Sequence, residues 1–440
     1  MITRIAAALI AACLAFPAAA TATTIKIDEV TSPGGIKAWL VEDASIPFVA
    51  LEFWFVGGSV LDPPGARGAT HLMMGLLEEG AGDLDAQGFA AAREGLAASF
   101  DFDSARDAVT ISARMLSENR DQAADLLRRA LNEPRFDAVA IERVRAQVLA
   151  MIEGNARDPD DIAGTTFNRL AYGDHPYGTA QTGTAESVAA LTREDIVAAH
   201  RAALTRGRVV VGAAGDITPV ELGALIDRIL GDLPPEAPAR PGPADFALDG
   251  GVTVIDFPSP QSVAFFGHLG IDRDDPDFFA AFVLNQILGG GGFQSRLMKE
   301  VREARGLTYG IGTFLSLADL SPGMLGQFSS SNDLMGQAID VVKQQWADLA
   351  ANGVTQQELD DAIRYMTGEY PLRFDGNGTI AGILAAMQSD DIPVEYVTNR
   401  NAYVEAVTLE DVRRVAARLL RPEDLHFVVV GQPTGLSPGN

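Results

Sequence analysis

Apolar residues in this chain follow two periods. In residues 46–65 (IPFVALEFWFVGGSVLDPPG) and again in residues 258–277 (PSPQSVAFFGHLGIDRDDPD) they form dense β-branched and aromatic runs. Each run ends in an acidic, proline-containing turn, which predicts strands leading into a helix. In residues 136–155, 160–172, 335–352 and 355–368 the apolar positions take helical spacing, which predicts long amphipathic helices. Blocks of strands with such helices between them predict an α+β fold, with helices packed on one face of a mixed sheet.

The plan occurs twice, at a separation of about 215 residues. Residues 192–212 (TREDIVAAHRAALTRGRVVVG) and 408–431 (TLEDVRRVAARLLRPEDLHFVVVG) close the two halves alike. In each, a threonine with an aspartate three residues on starts a helix, much as a capping box does, and a valine-rich strand ending in glycine follows. Five prolines in residues 232–251 mark a semi-rigid linker. The implied homologous domains are residues 24–234 and 250–434, joined by a linker at 235–249.

Composition narrows the function. A chain of 440 residues needs more than one core. A net charge of −25 and a pI near 4.5 argue against nucleic acid as a partner. The acidity steers cationic ligands weakly or simply keeps a secreted protein soluble. Arg4, the apolar run 5–16 and the small residues 18–22 predict a secretory signal cleaved after Ala20 or Ala22, hence a periplasmic protein. Residues 10–13 loosely resemble a lipoprotein signal, but the apolar run continues past Cys13. Cys13 is the only cysteine, so the mature chain is expected to hold no disulfide and no thiolate zinc site. No later apolar run is long enough to span a membrane.

Residues 58–82 (GSVLDPPGARGATHLMMGLLEEGAG) resemble the zinc-binding region of the insulinase/pitrilysin metallopeptidase family, which includes the mitochondrial processing peptidases. In active members of that family this helix carries H-x-x-E-H, whose two histidines bind zinc and whose glutamate activates water. Here His71 matches the first histidine, Met74 stands at the glutamate and Gly75 at the second histidine. The family's third ligand falls near Met151, and Glu153 lies close but off the position. Neither a thioether nor glycine replaces these ligands for zinc. His175, His200, His268 and His426 stand alone, and Glu78 and Glu79 are expected on a solvated face or helix end. The chain is therefore expected to bind no metal. The resemblance covers nearly all of the mature chain and includes residues 172–196 (YGDHPYGTAQTGTAESVAALTREDI).

Residues 290–310 (GGGFQSRLMKEVREARGLTYG) resemble the family's most recognisable second-domain segment. There the resemblance implies an arginine and a tyrosine, seven residues apart, facing the zinc across a cavity; Arg302 and Tyr309 have that spacing. Local chemistry agrees. A short helix is expected over residues 295–304, with Ser295 at its start and Gly306 in the left-handed conformation at its end. Arg302 then sits in the last turn, Tyr309 starts the next strand, and both are expected to face one cavity. A guanidinium and a phenol suit the oxyanion formed when water attacks a peptide carbonyl. Arg296 and Arg305 are expected in salt bridges or at the surface. Gly289, Gly290, Gly291 and Gly292 lack the lysine of a phosphate loop and are expected to form a hinge or to approach a peptide backbone closely. Exposed strand edges suit peptide addition.

The resemblance implies one half of a clamshell chamber. The expected role is the non-catalytic subunit of a heterodimeric periplasmic zinc peptidase, in which a homologous H-x-x-E-H subunit brings the zinc and peptides are the substrates. The alternative is a structural or peptide-binding homologue with no role in proteolysis.

Overall fold

The computed structural model describes residues 25–436. The expected secretory signal, with Cys13, lies outside them. In chain order the first domain contributes β1 (Asp28–Thr31), β2 (Lys37–Glu42) and β3 (Phe48–Val56), then the arms of a small hairpin, β4 (Gly80–Ala81) and β5 (Leu84–Asp85). It continues with β6 (Ser99–Ser104), β7 (Ala108–Leu116) and β8 (Val209–Gly215). Apart from the hairpin these form one sheet, ordered β1-β2-β8-β3-β7-β6. The second domain contributes β9 (Gly251–Asp256), β10 (Gln261–Leu269), β11 (Ile311–Ser316), β12 (Gly323–Ser331) and β13 (His426–Gly431), ordered β11-β12-β10-β13-β9.

The two sheets are one design used twice. Strands β2, β3, β6, β7 and β8 correspond in order and direction to β9, β10, β11, β12 and β13. Each sheet has a single parallel pair, β2 with β8 and β9 with β13, and the first adds β1 at its edge. The valine-rich strands β8 and β13 are central and almost wholly buried, as their unbroken apolar sequences require.

Each sheet is covered on one face by helices of its own domain and on the other by a helix borrowed from the opposite domain. The helix Pro159–Tyr172 packs on β10 and β13, and the helix Asn377–Ser389 packs on β8 and β3. The first crossing buries Phe167, Tyr172 and Tyr177 with Val263, Val428 and Val430. The second needs Gly212: any Cβ there would overlap the Ala381 carbonyl oxygen and lie 2.8 Å from the Ala385 nitrogen. Gln388 Nε2 donates to the Val211 carbonyl at 2.9 Å across the same contact. At the junction the Tyr177 hydroxyl donates to Asp107 (2.6 Å) and accepts the Leu320 N–H (3.0 Å). Residues 235–249 run without regular structure against both domains, with Ala244 N–H on the Leu320 carbonyl and Ala247 N–H on the Ala171 carbonyl, each at 2.8 Å.

Capping boxes form at Thr192/Asp195 and Thr408/Asp411, where the sequence pattern predicts helix starts. A third, Thr355/Glu358, matters for the site. Glu358 accepts from the Thr355 N–H and hydroxyl, each at 2.8 Å, and from Arg296 Nε at 2.5 Å and Nη2 at 2.9 Å. Burial pushes its pKa up, but the bonds from Arg296 and Thr355 outweigh burial and hold it at about 2, below the usual 4.5. A carboxyl depressed on folding stabilises the fold above its unfolded pKa and loses that contribution as pH falls through the folded one. Urea midpoints are therefore expected to drop between pH 4.5 and about 2, and Glu358→Gln should flatten that part of the profile.

Candidate functional site

The first half of the site is the His71 helix. It spans only Ala69–Met74, shorter than the apolar stripe implies, because Gly75 ends it and turns follow. Its start is held by buried Asp62, which accepts the Gly68 N–H (3.0 Å), the Thr70 N–H (3.1 Å) and the Thr70 hydroxyl (2.6 Å). Burial pushes the Asp62 carboxyl up to about 6 in spite of these donors. His71 Nδ1 lies 2.8 Å from Ser104 Oγ on β6, and burial lowers the ring's pKa.

His71, Met74, Gly75 and Met151 line one cavity of about 240 Å³ between this helix, β6 and the helix Ala138–Asn155. The family's ligand positions thus converge, but without ligands for zinc. Among the described residues, no group of three His, Cys, Asp or Glu side chains could hold a metal ion. Asp103, the one acid lining the cavity, accepts the Ser104 N–H at 2.8 Å, and Glu153 pairs with Arg157, Glu78 with Arg93 and Glu79 with Arg143. The other histidines serve the fold. His268 Nε2 accepts from Trp346 Nε1 (3.0 Å), and His200, His175 and His426 each reach a backbone carbonyl. Among the described residues, the side chains at the three ligand positions, His71, Gly75 and Met151, do not make a donor set for zinc.

Restoring the motif by substitution meets a steric limit. A Cβ at Gly75 would lie 3.1 Å from Val144 Cγ1, so an imidazole there crowds the Val144 side chain of the helix Ala138–Asn155. Overpacking of this kind costs about 1–3 kcal/mol. Met74→Glu with Gly75→His is expected to lower the melting temperature and to retain no zinc after dialysis. Stoichiometric zinc in that variant would show a pocket short only of side chains.

The second half begins where the helix Phe278–Asn285 widens into a π-helical turn, Gln286–Gly290. Each glycine has a local reason. A Cβ on Gly289 would lie 2.8 Å from the Thr313 nitrogen of β11, one on Gly290 2.8 Å from Asn285 Nδ2, and one on Gly291 2.6 Å from the Gln286 carbonyl oxygen. Gly292 takes φ +54°. Gly289, Gly290 and Gly292 line a groove of about 550 Å³ along the free edge of β11, whereas Gly291 faces a separate cavity of about 430 Å³ beside Tyr365.

The helix that follows starts after Ser295, whose hydroxyl donates to the Gly292 carbonyl at 2.8 Å. It is π-wound over Met298–Glu303, a winding the glycines do not announce. Gly306 ends it at φ +65°, as the sequence predicts. Its arginines differ. Arg296 pairs with Asp348 and Glu358, and Arg305 pairs with Glu300. Arg302 has no carboxylate partner among the described residues; its guanidinium carbon lies 4.6 Å from the Phe293 ring centroid.

Tyr309 departs from expectation. It does not start the strand, since β11 begins at Ile311, and its side chain is 85% exposed. The Thr308 hydroxyl lies 2.6 Å from the Ser329 carbonyl and 2.8 Å from that of Gly310, and Ser330 Oγ donates to the Leu307 carbonyl at 2.6 Å. These bonds bend and pin the backbone around a phenol left in solvent. Tyr309 is exposed next to Gly310, which lines the β11 groove, while Arg302 is half-buried and lies against Phe293. Sequence reasoning missed Thr308 and buried Asn285, whose Oδ1 accepts from the Thr313 hydroxyl at 2.8 Å and ties the glycine turn to β11. A polar residue inside FFAAFVLNQILG was the available signal.

Comparison with known proteins agrees along nearly the whole chain. The sequence model described as Insulinase (Peptidase family M16) matches residues 37–185, and that described as Peptidase M16 inactive domain matches residues 190–366. The chain is similar to the non-peptidase homolog YmxG of Helicobacter pylori, with 25% identity over 88% of this chain and 90% of that protein. It is also similar to an uncharacterized zinc protease of Streptomyces coelicolor, with 27% identity over 90% of this chain and 87% of that one. A crystal structure of a peptidase M16 inactive domain from Pseudomonas fluorescens matches with a TM-score of 0.87 and 31% identity, over 94% of this chain and all of that one.

Proposed function

We propose, for a chain that belongs to the insulinase family (peptidase family M16) and has lost its zinc motif, the role of non-catalytic subunit in a two-chain zinc peptidase. A homologous partner with an intact H-x-x-E-H brings the metal. This chain brings Arg302, Tyr309 and half of the peptide chamber. A secreted, periplasmic setting is part of the proposal and rests on the N-terminal sequence pattern.

The observation that carries the reading is the state of the Arg302/Tyr309 surface. Arg296 and Arg305 are neutralised by acids of this chain, while Arg302 is not. Tyr309 projects into solvent from a pinned turn. Two preorganised donors without an internal partner suit an oxyanion held by a metal on a facing wall. The free edge of β11 beside the glycines offers backbone groups to an extended peptide. That same edge favours the second reading, a peptide-binding homologue without proteolysis, since strand addition needs no metal.

The test is a peptidase assay of the pure chain, of a candidate H-x-x-E-H partner and of the two mixed. Zinc-dependent cleavage should appear only in the mixture. Cleavage by this chain alone overturns the proposal, and peptide binding with no cleavage in any mixture favours the second reading.

A further inference from the structure

The cavity left by the degenerate zinc helix is lined by soft donors. His71 and Met74 on one wall and Met151 on the other surround about 240 Å³. Ser104 occupies His71 Nδ1 at 2.8 Å, so Nε2 is the ring nitrogen left for a ligand. Gly75 puts no side chain into the space.

Met151 supplies an independent observation. It is 38% exposed, whereas every other methionine among the described residues is buried. Eight methionines fill cores, as methionine usually does. The ninth lines this cavity from the helix Ala138–Asn155. Thioether and imidazole donors select soft cations, and the one carboxylate that lines the cavity, Asp103, accepts the Ser104 N–H at 2.8 Å.

We propose that this cavity binds a soft monovalent cation, Cu(I) or its analogue Ag(I), through His71 Nε2 and the sulfurs of Met74 and Met151. The ion binds as a closed-shell cation and no electron transfer is involved. The site is separate from the Arg302/Tyr309 surface, so it stands or falls independently of the peptidase reading.

The test uses the full chain with methyl-labelled methionines, titrated with Ag(I), which avoids copper redox chemistry. Binding should saturate at a single ion per chain and shift the Met74 and Met151 methyl signals, leaving the other methionines in place. Met151→Leu changes a partly exposed position and leaves the fold intact, yet should abolish saturable binding. Ser104→Ala, which frees the ring to rotate, should weaken it by roughly 10–100-fold. Cu(I), held reduced under anaerobic conditions, should displace Ag(I), and Zn(II) should not. Unchanged Ag(I) binding by Met151→Leu, shifts spread over the buried methionines, or no saturable binding overturns the proposal.

Discussion

Arg302→Ala and Tyr309→Phe, each in the chain paired with the proposed H-x-x-E-H partner, should lower kcat/KM by about 100- to 1000-fold, with no loss of stability. The size follows from the chemistry. Removing one donor aimed at a developing oxyanion costs about 3–4 kcal/mol in the transition state. The selectivity follows from the structure. Tyr309 is 85% exposed, so its hydroxyl supports nothing in the fold. Arg302 loses only its stacking on Phe293, worth about 0.5–1 kcal/mol at an exposed site. Arg296→Ala should behave in the opposite way. It strips the partner from both Asp348 and Glu358, loosens the glycine segment and lowers the urea midpoint before any assay is run. Equal kcat/KM for the wild type and the Arg302→Ala/Tyr309→Phe double variant would return both residues to the surface.

Gly212→Val should destabilise the chain by about 3 kcal/mol or more and uncouple the two domains. The helix Asn377–Ser389 lies directly on β8 at Gly212, and the atoms that a side chain would strike are backbone atoms of that helix. Backbone cannot step aside as a flexible side chain can, so the whole helix must lift, and with it the Gln388–Val211 bond. Thermal melting should change from one transition to two, and limited proteolysis should cut near residues 235–249. Gly336→Ala, at a helical glycine with open space around it, serves as the control and should leave the melt unchanged.

Much of this was legible in the sequence for definite reasons. That the two sheets share one strand order follows from the repeat, because two segments with the same pattern of strands and caps fold alike. The capping boxes at Thr192 and Thr408 are read directly from residue spacing. The failure of the zinc motif needs only the identities of Met74 and Gly75. Other features were not legible. An amphipathic helix shows that it has an apolar face but not which sheet covers it, so the exchange of the helices Pro159–Tyr172 and Asn377–Ser389 between domains could not be read. Four consecutive glycines announce a break, yet the π-winding on either side depends on how closely β11 approaches Gly289. YGIGTFLS reads as one continuous strand from Tyr309 onward. Only the Thr308 hydroxyl, reaching the Ser329 and Gly310 carbonyls, bends the chain and turns Tyr309 outward. That outward turn changes the chemistry: the Tyr309 phenol faces solvent from this chain.

The most direct test of the proposed pairing is the zinc content of the reconstituted complex, measured by elemental analysis after gel filtration. The account predicts a single zinc per pair of chains, none of it retained by this chain when the pair is separated. Two zincs per pair, or zinc carried by this chain alone, would contradict it.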